Sequence, residues 1–287
     1  MLTVAALDAL VDRALGEDLG GGDLTSDCCV EPDTRAVGDA IARRELVACG
    51  GEVFAHTFAR VDPATAVEIL VPDGAKVPAE TVLWRVRGRA RSLLAAERVA
   101  LNFAQRMTGI ATLARRYVDA LPAGSTTRIT DTRKTTPGLR VLERYAVRSG
   151  GAHNHRDDLG SAVMIKDNHI VAAGGIGRAV ERARRLAPHT SRIEVEVTTL
   201  DELGEALAAG ADILLLDNMD RATTERAVVA ARRRGSTAAA PWLEASGGIT
   251  LERIPELAAA GVDVISVGAL THSAPAADIS LEIALER

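Results

Sequence analysis

Residues 193–218 read IEVEVTTLDELGEALAAGADILLLDN, and their reading decides the fold. IEVEVTT (193–199) and DILLLDN (212–218) are short β-branched and aliphatic runs. Between them, TLDELGEALAAG (199–210) is amphipathic at helical spacing. Thr199 followed three residues later by Glu202 makes a capping box, and Gly210 sits where a C′ glycine ends a helix. A strand, a helix and a strand at this spacing form a βαβ unit, hence a parallel sheet. ILLL is apolar at successive positions, so both faces of that sheet are covered.

The same rhythm extends in both directions. RITDT (128–132), AVMIKDN (162–168), WLEASGG (242–248) and VDVISVGA (262–269) read as further strands. GRAVERARRLA (177–187), DRATTERAVVAARRR (220–234) and LERIPELAAAG (251–261) read as helices between them, the last ended by Gly261. The earlier part differs. Residues 3–19 predict an amphipathic helix, followed by the glycine-rich loop GGGD (20–23). Residues 36–90 predict an antiparallel sheet layer containing a strand, a D-G turn and more strand over 69–88. Residues 92–119 predict one long helix or two. Two domains follow: a small α/β domain up to about 112, then a parallel β/α domain.

Bulk composition narrows the function. The chain has 287 residues, 47% hydrophobic and 25% charged, with a net charge of −5. That balance argues against general affinity for nucleic acid or anionic membrane. Aromatics at 2% disfavour modules that stack bases on rings. Three cysteines, two of them adjacent, do not suggest a disulfide framework. The sequence shows no signal-peptide pattern and no run of about 18 apolar residues, so a cytoplasmic soluble protein is expected.

In a parallel β/α sheet, function gathers where strands end. The strand ends here are sorted by chemistry: Arg133 and Lys134 first, Lys166 next, then Glu196, Asp217, the glycine loop Ser246-Gly247-Gly248, and Gly268 followed by His272. Residues 128–169 hold eight Lys/Arg against five Asp/Glu, and three of the six histidines, so a polyanionic ligand is expected in a net-acidic protein. Glycine loops after the last strands expose backbone N–H groups to a phosphate. Glu196 and Asp217 could hold Mg2+ or face a developing positive charge. His153 and His155 could ligate a metal, but beside Arg156 they fit anion contact better. Arginine runs at 182–185 and 232–234 read as solvent-facing charge on outer helices. Only three lysines occur, and two of them, Lys134 and Lys166, fall at strand ends.

AERVALN (96–102), TRKTTPGLR (132–140), GGAHNHR (150–156), IKDNH (165–169), EVEV (194–197), LLDN (215–218), SGGI (246–249) and SVGALTHS (266–273) together resemble the quinolinate phosphoribosyltransferase family, over nearly the whole chain. One departure is Ala245, where such proteins often carry serine. The resemblance implies a type II phosphoribosyltransferase fold: an N-terminal α/β sandwich domain (1–112, joined by the tail 274–287) and an open parallel β/α barrel (113–273). It implies a homodimer with a shared active site, to which the neighbour brings Arg98. It also implies that quinolinate and phosphoribosyl pyrophosphate give nicotinate mononucleotide, pyrophosphate and CO2, with Mg2+ and no organic cofactor.

On that reading Arg98, Arg133, His155 and Arg156 would hold the dicarboxylate, with Lys134 and Lys166 nearby. Ser246, Gly247, Gly248 and Gly268 would serve the 5-phosphate, lysine and Mg2+ the pyrophosphate, and His272 is a further substrate-binding candidate. Glu196 or Asp217 would stabilise oxocarbenium-like charge as pyrophosphate departs. Two alternatives stay open from sequence: a Schiff-base lyase using Lys166 as nucleophile, and a non-catalytic sensor of pyridine dicarboxylate or phosphosugar.

Overall fold

A computed structural model of the chain describes residues 2–234 and 240–286, without the Arg234 side chain. Residues 235–239, inside the expected second domain, and the end of the 232–234 arginine run thus lie outside the described residues.

In chain order the elements are α1 (Val4–Asp18), α2 (Leu24–Cys29), β1 (Arg35–Ala42), β2 (Leu46–Val47), α3 (Gly51–Val61), β3 (Ala66–Ile69), β4 (Lys76–Val77), β5 (Val82–Arg89) and α4 (Ala90–Asp119). Then come β6 (Arg128–Thr130), α5 (Arg140–Ser149), β7 (Val163–Ile165), α6 (Asp167–Ala173), α7 (Ile176–Leu186), β8 (Ile193–Val197), α8 (Leu200–Ala209), β9 (Ile213–Asp217) and α9 (Arg221–Arg234). The last are β10 (Trp242–Ser246), α10 (Arg253–Ala260), β11 (Val264–Ser266), α11 (Ala269–His272) and β12 (Ile279–Leu285). Among the described residues no helix is long and apolar enough to cross a membrane.

Two compact units divide the chain. The first gathers the residues up to Arg115, Thr135–Gly151 and the segment from Leu270. Its four-stranded antiparallel sheet runs in the order β12-β1-β5-β3. Trp84 of β5 meets Phe54 of α3 at 5.0 Å, and Phe54 meets Phe58 at 4.9 Å. All three are fully buried, together with Leu93 and Leu101 of α4. Each such side chain contributes about 2–3 kcal/mol through burial. The stretch expected to be one sheet layer therefore also carries a helix, α3. Asp73 of the D-G pair helps to set it: its Oδ1 accepts from the N–H groups of Gly50 (3.0 Å) and Gly51 (3.2 Å) at the helix start.

Thr135–Gly151 groups with this first unit, although chain order alone suggested the second domain. A buried ion pair anchors the segment there. Glu143, wholly inaccessible, accepts from Arg106 Nη2 at 2.8 Å and from Thr136 N–H at 3.1 Å. Tyr145 adds a hydrogen bond from its hydroxyl to Asp73 Oδ2 at 2.9 Å.

The second unit spans Arg116–Lys134 and Ala152–Ala269. Its six strands are all parallel, in the order β6-β11-β10-β9-β8-β7. The capping box of Thr199 and Glu202 forms, and Gly210 (φ 78°) and Gly261 (φ 92°) end α8 and α10. β6 and β7, neighbours in the chain, stand at opposite edges, so the sheet is open between them.

Candidate active site

Side chains alternate along a strand, so Glu194 and Glu196 share one face of β8, Leu215 and Asp217 one face of β9, and Glu244 and Ser246 one face of β10. The register brings them level: Glu196 pairs with Leu215, Leu215 with Glu244, and Asp217 with Ser246. That inner face meets a single cavity of about 590 Å³. Its wall carries Thr132, Arg133 and Lys134 after β6, His155 and Arg156 from the loop before β7, Met164 and Lys166, Glu196, Leu215, Asp217 and Asn218, Glu244, Ser246, Gly247 and Gly248, and Ser266. Residues from or beside all six strands line it, so the sheet curls round the cavity as an open barrel. Two other grooves of comparable size, about 610 and 600 Å³, lie between outer helices and lack such a convergence of strand-end groups.

The loop carrying His155 and Arg156 is fixed from below. His153 bridges to Thr130 of β6, and its N–H donates to Ile129 O at 2.8 Å. Asp131, fully buried, accepts from His155 N–H (2.7 Å) and from Asn154 Nδ2 (2.6 Å). Arg156 Nη1 donates to Ala162 O at 3.2 Å. Burial first, and then the neighbouring Arg133 charge, lower the Arg156 pKa from its ordinary value. Two guanidiniums close enough to repel suit an anion with two negative groups. Lys166 is ion-paired to Glu196. An amine nucleophile must be free of its proton, so this pair argues against the Schiff-base alternative.

Under the mouth lies a group that sequence reasoning missed. His155 Nε2 stands 3.3 Å from Glu244 Oε2 and 3.6 Å from Glu194 Oε2, and both acids are only 3% exposed. Burial lowers the His155 pKa, but the hydrogen bonds and charges of Glu194 and Glu244 outweigh it and push the value up to about 10. One contact opposes this charge: Arg156 N–H donates to Nδ1 at 2.8 Å, as suits a neutral ring. A neutral hydrogen bond is worth about 1 kcal/mol and a charged one about 1.5–3 kcal/mol, so the two acids favour the protonated ring. Among the described residues these three alone are grouped so that potential metal-ligand atoms lie within 4.8 Å of one another. An imidazolium offers no lone pair to a metal, so the cluster is read as holding a proton. The signal for Glu194 and Glu244 was available: each precedes a noticed strand-end residue by two, the period of a strand.

After β9, which lies between the strands that carry Glu194 and Glu244, Asn218 adopts a left-handed backbone (φ 53°) and its N–H donates to Ser246 O at 3.0 Å. Its side-chain Nδ2 donates to Asp217 Oδ2 at 2.9 Å. Gly247 (φ 88°) packs against it so closely that a Cβ there would fall 2.3 Å from Asn218 Oδ1. The cavity thus unites ten of the residues anticipated from sequence: Arg133, Lys134, His155, Arg156, Lys166, Glu196, Asp217, Ser246, Gly247 and Gly248. Gly268 is not in its wall, and the preceding Val267 N–H is taken by Thr130 O at 2.9 Å. Arg98, exposed on α4, and His272, whose Nδ1 lies 2.7 Å from Ser273 Oγ, belong to the first unit.

Residues 110–282 match the family model of the quinolinate phosphoribosyl transferase C-terminal domain, and residues 23–108 match that of its N-terminal domain. A probable nicotinate-nucleotide pyrophosphorylase [carboxylating] of Bacillus subtilis is 41% identical over 97% of this chain and 94% of its own. The human nicotinate-nucleotide pyrophosphorylase [carboxylating] is 40% identical over 99% of this chain and 93% of its own. The solved structure of NadC from Streptococcus pyogenes superposes with a TM-score of 0.93 at 36% identity, covering 100% of this chain and 99% of that one. The nicotinate-nucleotide pyrophosphorylase of Francisella tularensis gives 0.92 at 39% identity, covering 99% and 98%. With both domain models matched, over residues 23–108 and 110–282, this chain belongs to the quinolinate phosphoribosyltransferase family.

Proposed function

We infer that this protein transfers the phosphoribosyl group of phosphoribosyl pyrophosphate to the ring nitrogen of quinolinate and releases CO2, giving nicotinate mononucleotide and pyrophosphate for de novo NAD biosynthesis. The observation that carries this is one cavity holding Arg133, Lys134, Arg156 and Lys166 beside two strand-end carboxylates. Such a wall fits a dicarboxylate acceptor and a polyphosphate donor together. The pyridine nitrogen forms a bond to the ribose anomeric carbon as the bond to pyrophosphate breaks. Glu196 and Asp217 offset the positive charge that develops on the sugar. The ring nitrogen is then cationic and accepts the electron pair of the C2–carboxylate bond, so CO2 leaves and C2 takes a proton.

Glu196 and Asp217 would also be the oxygen donors for Mg2+. Hard-oxygen chemistry fits, since Mg2+ is usually held by one or two carboxylates and substrate phosphates. Asp217 has more to offer, because Lys166 already engages Glu196. Mg2+, when bound, supplies charge neutralisation to the pyrophosphate. Arg98 is exposed on α4, as a residue offered to a partner subunit would be, and a homodimer with a shared site is part of this reading. So is a cytoplasmic setting, supported by three unbonded cysteines.

Purified protein given quinolinate, phosphoribosyl pyrophosphate and Mg2+ should release CO2 and form nicotinate mononucleotide. Reaction with nicotinate but not quinolinate would overturn the acceptor assignment. For the phosphate loop, Gly247→Ala combines a left-handed φ, costing about 1–2 kcal/mol, with the clash at Asn218. It should raise the KM for the sugar donor about tenfold with little change in the KM for quinolinate; equal shifts in both would detach Gly247 from the donor.

A further inference from the structure

The cluster of His155, Glu194 and Glu244 is specific in its construction. Glu194 and Glu244 come from β8 and β10, two strands apart, and converge on one imidazole. Each keeps Oε1 without a hydrogen-bond partner among the described residues, while its Oε2 faces His155. The groups around the ring are thus Glu194 from β8, Glu244 from β10, Asp131 beyond β6 at its backbone N–H, and Arg156 beside it in the loop. Arg133 adds a second guanidinium next to Arg156. Three cations gathered in one pocket repel one another, and the buried acids lie where they counter that repulsion; burial raises the Glu194 pKa, and the neighbouring His155 and Arg156 pull it partly back down.

We propose that Glu194 and Glu244 are positioning residues of the acceptor pocket, acting through His155: they hold its ring by Nε2–H, keep it cationic, and supply the counter-charge that lets His155, Arg133 and Arg156 stand ready for a dicarboxylate. This rests on the quinolinate reading, which names the acceptor. In this proposal His155, and not the acids, touches the acceptor, although Glu244 also lines the cavity. Their effect is to set the charge and orientation of the group that does.

The ring can be read directly, without substrate. In 15N-histidine-labelled protein, His155, identified by its loss in His155→Gln, should show both ring nitrogens protonated from about pH 6 to about pH 9, below the value of about 10 set by its surroundings. In Glu244→Gln, an isosteric change, the same ring should titrate at least ten times more easily, that is about one pH unit lower or more. The KM for quinolinate should rise about tenfold in that variant and climb further with pH, while the KM for phosphoribosyl pyrophosphate stays within about twofold. Glu194→Gln should act in the same direction, and circular dichroism of both variants separates this from misfolding. A neutral His155 in the wild-type protein at pH 7 overturns the proposal, and so does a stoichiometric divalent metal that is lost in Glu194→Gln. If the wild type ignores quinolinate, the functional reading falls, while the ring spectrum still judges the cluster.

Discussion

Glu196→Gln should lower kcat by about 10²–10³-fold, the scale of about 3–4 kcal/mol that one preorganised electrostatic group contributes at a transition state. Glutamine keeps the shape of the side chain and its place on β8, and removes only the charge. Two losses then coincide. The sugar loses a carboxylate facing its developing positive charge, and the Lys166 ammonium loses its partner. Lys166 would be freed to bind anions more tightly in the ground state, so KM for the sugar donor should stay level or fall while turnover collapses. Steady-state kinetics at saturating quinolinate provide the check. A kcat within about twofold of wild type would remove Glu196 from the chemical step.

Arg156→Ala should reduce kcat/KM for quinolinate by about 10²-fold, or about 3 kcal/mol, because truncating one partner of a desolvated charge pair leaves the bound carboxylate unpaired. Most of the loss should appear in KM, since the carboxylates are held in both the ground and the transition state. Arg156→Lys should recover only part of it: an ammonium restores charge but not the planar fork that meets two carboxylate oxygens. Arg156 also donates to Ala162 O, so thermal melting of both variants is needed beside the kinetics. An unchanged KM for quinolinate, with normal melting, would take Arg156 out of the acceptor pocket.

The parallel sheet was legible because its evidence is local. A strand such as ILLLD and a helix such as α8, with its cap at Thr199 and its stop at Gly210, each announce themselves within about ten residues. Strand ends then showed most of the cavity wall, since side-chain period and connectivity dictate where they point. What stayed hidden depends on partners far away in sequence. Glu194 and Glu244 look like isolated acids until β8 and β10 are set in register about His155. α3 was absorbed into a sheet layer because Gly50 and Gly51 obscure its start, and its cap comes from Asp73, more than twenty residues later. Thr135–Gly151 groups with the first unit, where Glu143 meets Arg106, a pairing no window of sequence reveals.

The sheet of the first unit also imposes an order of events during synthesis. β1 lies between β5 and β12, and β12 spans Ile279–Leu285. While the ribosome makes the intervening residues, β1 can pair on one side only, and its other edge of open N–H and C=O groups is exposed to other chains. Closing that edge requires a contact across more than two hundred residues, such as Ala36 with Leu285, which is slow by loop-closure entropy alone. The nascent protein is therefore prone to aggregate through β1 until Ile279–Leu285 have been made and close its edge.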